Sequence, residues 1–271
     1  MALRINYNLA SSSAQRGLSA SQEAYAKQAT RLSTGLRINS ASDDAAGMAV
    51  SEKLKNEVRG LNQAQRNAQD GVSFLQTAEG GLAEIHSSLA RMRELAVQAG
   101  NDTLGTSDRA NLNAEFTQLQ AEITRIADTV TFNGIALLNG TGSKTLQIGA
   151  NNGDTLAVSA TNNTATALAV GNLDVTSQAN AAAALTAIDA AVNTVSTNRA
   201  NFGAQQSRLE SVGRSLAVAS ENTAAANSRI ADADIAASMS ELVRAQILQQ
   251  AGISVLAQAN QAPSLVLQLL K

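Results

Sequence analysis

Residues 54–96 read LKNEVRGLNQAQRNAQDGVSFLQTAEGGLAEIHSSLARMRELA and decide the fold of this chain. Apolar residues return at every third or fourth position, an average close to the ~3.5-residue period of a coiled-coil seam. A single helix cannot bury such a stripe, so the segment predicts a long helix that packs on a partner helix. The stripe consists of Leu54, Val58, Leu61, Ala64, Ala68, Val72, Leu75, Ala78, Leu82, Ile85, Leu89, Met92 and Ala96.

A second stripe of the same period occupies the other half of the chain and supplies the partner helix. Between the two, we expect a shorter helix over residues 108–129, followed by alternating apolar residues on both sides of Asn152-Gly153. That alternation around an Asn-Gly dipeptide indicates a β-hairpin. The chain is therefore predicted to be mainly α: a long antiparallel coiled-coil helical rod with a small β-hairpin region. The second stripe consists of Leu185, Ile188, Val192, Val195, Phe202, Leu209, Val212, Leu216, Ala219, Ala226 and Ile230.

Both chain ends carry helical stripes of their own, which predicts paired N- and C-terminal helices. These stripes hold too few large apolar side chains to offset the conformational entropy of ordering both ends. We therefore expect the terminal helices to become ordered by packing on other copies of the same chain. The residues expected to pack there are Leu18, Tyr25, Leu32 and Leu36 in the first helix, and Ile235, Met239, Leu242, Ile253 and Leu256, on one seam, in the last.

The nested order of these elements divides the chain into two predicted domains. Residues 1–42 and 232–271 form a terminal coiled-coil domain, because the two ends pair with each other. Residues 43–231 form a helical rod domain, and the β-hairpin region at 132–177 caps its far tip.

The composition narrows the functional class. The chain has no cysteine, so disulfides and thiolate metal sites are excluded, and no metal or cofactor is expected. Its net charge of −2 gives no basis for a nucleic-acid partner. No apolar run approaches ~18 residues, so no membrane insertion is expected. The N-terminal segment lacks the apolar core of a secretory signal peptide, which leaves a cytoplasmic chain or one exported without a cleaved apolar signal.

The sequence offers no convincing catalytic site. Residues 140–145, GTGSKT, lack the glycine directly before the lysine that a phosphate-binding loop requires, so a turn is expected there. His86 is the only histidine and has no cysteine, second base or acid pair beside it. Without a nucleophile–base pair or a metal cluster, the chain is not expected to be an enzyme.

Longer motifs near both ends carry a more specific signal. Residues 31–41 read RLSTGLRINSA and residues 43–50 read DDAAGMAV, while residues 228–234 read SRIADAD and residues 256–261 read LAQANQ. On these motifs the chain resembles bacterial flagellin over nearly all of its length. Only residues 132–178 stand where many members of that family carry large outer domains, so the chain resembles a short form with minimal outer domains.

The resemblance implies a structural subunit of the bacterial flagellar filament, exported unfolded by the flagellar type III route and extracellular once assembled. It would self-assemble through its terminal helices into a motility propeller. The implied partners are other flagellin subunits, an export chaperone at the apolar tail of residues 265–270, the filament cap and the hook-junction proteins. Two alternatives stay open at this point: a flagellin-like hook–filament junction protein and a non-flagellar coiled-coil binding module.

One further motif, LARMRELAV at residues 89–97, resembles the rod patch read by the Toll-like receptor that senses flagellin. By that match, Arg91 and Leu95 would contact the receptor together with Glu115 on the next helix. Ala90 stands where the family usually has glutamine, so one polar contact is missing. The alternative interpretation of the same residues is a helix face that packs on the next subunit.

Overall fold

The computed structural model describes residues 8–140 and 142–269, with side chains described up to residue 261. Within these residues, long α-helices alternate with short loops and two small antiparallel hairpins, which confirms the predicted mainly α fold. The helices are α1 (Leu9–Thr34), α2 (Ala45–Ala99), α3 (Thr106–Thr129), α4 (Gln178–Ala231) and α5 (Ile235–Leu269). The strands are β1 (Thr131–Phe132), β2 (Ile135–Ala136), β3 (Gly142–Gln147) and β4 (Thr155–Ala160).

The chain falls into two compact units. The terminal unit comprises the residues up to Val58 and from Asn222 onwards, and the central unit comprises Arg59–Glu221. Both boundaries lie inside helices, because α2 and α4 each continue from one unit into the other. The two predicted domains, divided after residue 42 and after residue 231, were defined by their expected places in the assembled polymer. That division stays a prediction.

The central unit has an apolar core shared by α2, α3 and α4. Phe116 and Ile123 of α3 and Ile188 of α4 are completely inaccessible to solvent. Burial of each such side chain stabilises the fold by about 1.5–3 kcal/mol. From Leu61 onwards, the stripe predicted for α2 lies in this core and the small cluster beside it, while Leu54 and Val58 are half-buried in the terminal unit. Its buried members are Leu61, Ala64, Ala68, Leu75, Ala78, Leu82, Ile85, Leu89, Met92 and Ala96.

Polar contacts fix the antiparallel direction of α2 and α4 within the central unit. Arg93 on α2 donates to Asp189 on α4 at 2.7 Å, near one end of the unit. Near the other end, the Ser220 hydroxyl of α4 donates to Asn62 of α2 at 2.9 Å. These pairs are exposed, so they help to set the register of the two helices but contribute little to the stability of their packing. The predicted antiparallel pairing of the two stripes is therefore present.

Two hairpins separate α3 from α4. In the larger one, Leu146 of β3 lies opposite Leu156 of β4, and Leu156 is buried with Val158 on the face that packs on the core. Its turn contains Gly153 at a φ of +94°, a conformation that glycine adopts without strain. This hairpin is the one predicted from Asn152-Gly153. The smaller pair, β1 and β2, turns at Asn133-Gly134 with both φ values positive, and the sequence analysis missed it.

Two of the α2 glycines mark close approaches of other elements. A Cβ added at Gly81 would lie 2.6 Å from Cδ1 of Leu138 and 2.9 Å from Cγ2 of Val130. A Cβ added at Gly71 would lie 2.5 Å from Cδ1 of Leu146. In contrast, the neighbouring Gly80 is exposed and has no non-local atom within 4 Å among the described residues. Packing therefore explains Gly71 and Gly81, whereas nothing in the structure explains Gly80.

Alanine substitutions at Gly80 and Gly81 should have opposite effects on stability. Gly81→Ala must displace the buried Leu138 and the stiff Val130, which we expect to destabilise the central unit by about 1–3 kcal/mol. Gly80→Ala adds a better helix former in open space and should stabilise it by about 0.5–1 kcal/mol. Urea unfolding followed by circular dichroism measures both changes. A Gly81→Ala protein as stable as Gly80→Ala would contradict the close packing at Gly81.

Candidate interaction surface of the terminal helices

The terminal unit is built on an antiparallel pair formed by α1 and α5. At one end of the pair, the Asn8 side chain donates to the carbonyl oxygen of Ala259 at 2.8 Å. In the middle, α5 approaches closely enough that a Cβ at Gly252 would lie 3.4 Å from Cδ1 of Leu18. At the other end, Leu36 forms an antiparallel β-bridge with Asp232. The predicted pairing of the N- and C-terminal helices is therefore present.

The face of α5 that packs on α1 follows a heptad row with steps of four and three residues. Its members are buried or half-buried, and they are Ser238, Leu242, Ala245, Gln249, Gly252, Leu256 and Ala259. The half-buried residues of α1 include Ser11, Ala14, Leu18, Ser21, Gln28 and Leu32. Most of these side chains are small or polar, so the contact between the two helices buries little apolar surface.

A second row of apolar residues on α5 is exposed and does not belong to the heptad row that packs on α1. We call it the α5 ridge; it steps by four residues and consists of Ile235, Met239, Val243, Ile247, Ala251 and Val255. All six are exposed, and Ile247 has 60% of its surface accessible. Residues four apart form a continuous ridge on a helix surface, of the kind that fits the groove of another helix. Leu248 and Ile253 add further exposed apolar surface on either side of the ridge.

The structure corrects the placement of the predicted C-terminal packing residues. The five residues predicted to share one seam differ in burial: Leu242 and Leu256 are half-buried in the heptad row, while Ile235, Met239 and Ile253 are about half exposed. The error arose because α5 carries apolar residues in two rows, and a single sequence does not tell which row meets α1. In α1, the predicted residues Leu18 and Leu32 are half-buried and Tyr25 is 37% exposed, while Leu36 is half-buried in the turn that follows the helix. Their packing between subunits stays a prediction.

The turn after α1 and the turn before α5 are hydrogen-bonded to each other. The Arg37 backbone amide donates to the carbonyl of Ala231 at 2.7 Å, and the Ala233 amide donates to the carbonyl of Gly35 at 2.9 Å. The Arg37 guanidinium also donates to the carbonyl of Ile230 at 2.6 Å. A cation at the last carbonyls of α4 satisfies an unpaired acceptor and complements the helix dipole.

Three aspartates hold the same turns. Asp44 accepts a hydrogen bond from the amide of Gly47 at 2.8 Å, and Asp234 accepts one from the amide of Ala237 at 3.0 Å, so each caps the start of a helix. Asp43 pairs with Lys27 of α1 at 2.7 Å. This hydrogen bond, with those from two backbone amides of the turn, holds the pKa of Asp43 at about 2.

The predicted receptor patch is only partly present on the surface. Arg91 and Glu115 are exposed and joined at 2.8 Å, and Arg91 also donates to Glu94 at 2.9 Å; these partners raise the pKa of Arg91. Leu95, however, is 1% exposed and belongs to the core of the central unit. Its predicted place on a contact surface is therefore wrong, because the helix turns it inward beside Met92. Recognition of Arg91 and Glu115 by a receptor stays a prediction.

Neither a metal centre nor a membrane span is found in the described part of the chain. No three His, Cys, Asp or Glu side chains there are grouped closely enough to hold a metal ion. Among the described residues, no helix combines the length and the apolarity that crossing a bilayer requires. The tail at residues 265–270, predicted to bind an export chaperone, lies outside the described side chains.

Long antiparallel helices, with paired chain ends and an exposed apolar ridge, define the class of coiled-coil helical proteins. The comparisons with known proteins specify which one. The family model for the bacterial flagellin N-terminal helical region matches residues 5–143, and the model for the C-terminal helical region matches residues 185–270. The chain belongs to the bacterial flagellin family.

Individual relatives agree over the whole length. A flagellin of Halalkalibacterium halodurans is 49% identical over 98% of this chain and 99% of its own. A flagellin of Bacillus subtilis is 43% identical over 99% of this chain and 100% of its own. The crystal structure of Bacillus cereus flagellin superposes with a TM-score of 0.51 at 34% identity, covering 56% of this chain and 88% of that one. The predicted resemblance is thereby confirmed.

The family settles the broad function. The chain is a structural subunit of the flagellar filament and not an enzyme, as predicted. The two alternatives, a hook–filament junction protein and a non-flagellar coiled-coil module, are not favoured by these relatives.

The ion pair of Asp43 should make the filament sensitive to acid in a defined range. Its folded-state pKa lies below the unfolded value of ~3.9, so its stabilisation is complete above about pH 4 and is lost as the pH falls toward 2. Asp43→Asn filaments should release more subunit than wild type at about pH 5, and the difference should narrow as the pH approaches 2. Sedimentation of filaments at graded pH measures the released fraction.

Glu57→Gln serves as the control, because Glu57 is an exposed carboxylate of α2 with no ion pair among the described residues. It should release subunit as wild type does at every pH. A constant difference between Asp43→Asn and wild type across the whole range would contradict a role for the ionised carboxylate.

Proposed function

We propose that the chain polymerises through its terminal helices, with the α5 ridge as a principal contact between subunits. The observation that carries this proposal is the exposure of six apolar residues in one continuous row. A helix that is apolar on several sides is normally buried. Since α1 covers only the heptad row of α5, the ridge requires another protein surface.

The charge pattern of α5 supports the same proposal. Only Glu241 and Arg244 carry charge between residues 235 and 269, and they pair with each other at 2.8 Å. Apart from that pair, no ionised side chain would need to lose its hydration when the helix enters a subunit contact. Burial of the ridge therefore favours assembly, and the loss of hydration of charged groups opposes it only weakly.

Folding of the terminal helices is coupled to assembly in this proposal. The contact between α1 and α5 contains mostly small and polar side chains, so it offers little to offset the entropy of ordering both helices. A terminal unit that is only weakly stable before assembly suits export of an unfolded chain. The central unit has its own core and does not depend on neighbouring subunits in this way.

The proposed polymer places residues 1–42 and 232–271 in the inner tubes of the filament and residues 43–231 in the surrounding wall. The finished filament is extracellular. The proposed partners besides other subunits are an export chaperone at residues 265–270, the filament cap and the hook-junction proteins. These assignments rest on the family to which the chain belongs.

A charge on the α5 ridge should block assembly without unfolding the subunit. Val243→Asp would bury an unpaired carboxylate in the subunit contact, so we expect the critical concentration for filament growth to rise by about a hundredfold or more. Val218→Asp is the matched control, since it makes the same change at an exposed valine of α4 in the central unit. Seeded growth followed by light scattering measures the critical concentration, and circular dichroism checks that both monomers keep the wild-type helix content.

Equal critical concentrations for the two variants would contradict a specific role of the ridge. Leu242→Asp separates the two faces of α5, because Leu242 lies in the contact with α1. It should also prevent growth, through loss of the helix pair rather than of the ridge. Normal filaments from Leu242→Asp would show that the pair is not needed.

We further propose that the innate receptor that senses flagellin reads the exposed pair Arg91 and Glu115. Arg91→Ala should weaken receptor signalling by the monomer about tenfold, because it removes a charged contact. Arg93→Ala is the control, since Arg93 pairs with Asp189 of α4 on a different side of α2. A reporter-cell assay measures the response. Equal signalling by wild type and both variants would contradict recognition of Arg91 by the receptor.

A further inference from the structure

The chain confines its readily oxidised sulfur to four methionines, because it contains no cysteine. Peroxides convert an accessible methionine thioether to the sulfoxide, a polar group. Accessibility differs sharply among the methionines that the structure describes. Met92 is completely buried in the central unit, Met48 is half-buried in α2, and Met239 has 47% of its surface exposed.

Met239 also occupies a position where oxidation has a consequence. It lies on the α5 ridge between Ile235 and Val243, each four residues away along the helix. The residues three positions away are Ala236 and Leu242. None of these four side chains has a hydrogen-bond donor to offer to a sulfoxide oxygen.

We propose that Met239 is a peroxide-sensitive modification site and that its oxidation prevents the subunit from entering the filament. This inference rests on the proposed role of the α5 ridge in assembly. In the reaction, the sulfur lone pair attacks one peroxide oxygen, the O–O bond breaks, and proton transfer releases water. The sulfur is oxidised by two electrons and the peroxide is reduced by two electrons.

The physical reason is the cost of burying a polar group without a partner. A thioether is apolar and flexible, so it packs well in an irregular helix contact. A sulfoxide oxygen in the same contact would lose its hydrogen bonds to water, and its neighbours on α5 cannot replace them. Once a subunit is assembled, its own contacts cover Met239, so the modification acts on subunits that have not yet been incorporated.

The test uses full-length monomer treated with hydrogen peroxide, then freed of peroxide and added to short filament seeds. Peptide mass spectrometry should find sulfoxide at Met239 at least about tenfold faster than at Met92. The critical concentration for growth should rise about tenfold, and methionine sulfoxide reductase should reverse the rise. Preformed filaments under the same treatment should gain sulfoxide at Met239 more slowly than the monomer does.

Matched variants assign the effect to one sulfur. Met239→Leu conserves volume and removes the sulfur, so treated and untreated protein should grow alike. Met92→Leu keeps Met239 and should stay as sensitive as wild type. Met239→Gln places a polar group on the ridge and should raise the critical concentration without peroxide.

Two results would overturn the inference. One is normal growth of a monomer fully oxidised at Met239, and the other is undiminished sensitivity of Met239→Leu. Failure of the proposed assembly role has a different signature, because untreated Val243→Asp would then elongate seeds as wild type does.

Discussion

The incomplete burial of α5 is the constraint on which the rest of the structure depends. Its heptad row packs on α1, while the apolar residues of the α5 ridge stay exposed. Glu241 and Arg244 neutralise each other, so the helix lacks the charged face that ordinarily solvates one side of an amphipathic helix. Such a helix is stable only when further protein surface covers it. This requirement explains why a chain with a self-sufficient central core also carries two long terminal helices of marginal stability.

The two units are stabilised in different ways. The central unit buries large side chains such as Phe116 and Ile188 within one chain, so it folds without neighbours. The terminal unit relies on directional hydrogen bonds at its turns, where Arg37 binds a carbonyl at the end of α4 and Asp43 binds Lys27 of α1. Those bonds fix the turns and bury little apolar surface, so in the proposed assembly the contacts with other subunits supply the remaining stability.

The spacing of apolar residues predicted most of the fold. Leu82 and Leu209 belong to stripes that recur every three or four positions over many turns, and only long helices have that period. The spacing did not predict which residues are buried where two rows on one helix have similar periods. Leu95 was placed on a contact surface by the resemblance of residues 89–97 to a receptor-binding motif, yet its side chain is buried in the core. On α5, Met239 and Leu242 are three residues apart and neighbours on the helix surface, yet only Leu242 is half-buried, a distinction fixed by the partner helix rather than by the sequence. The short β1–β2 hairpin had a usable signal, Asn133-Gly134, that the longer helical pattern obscured.

The absence of cysteine from the chain allows a direct test of the central claim, that subunit contacts cover the α5 ridge. A single thiol introduced by Val243→Cys can be labelled with a maleimide, first in the monomer and then in the filament. We expect fast labelling of the monomer and at least about tenfold slower labelling of the filament, because the ridge is then excluded from water. Equal labelling rates in monomer and filament would show that the ridge stays exposed after assembly, and would contradict its role as a contact between subunits.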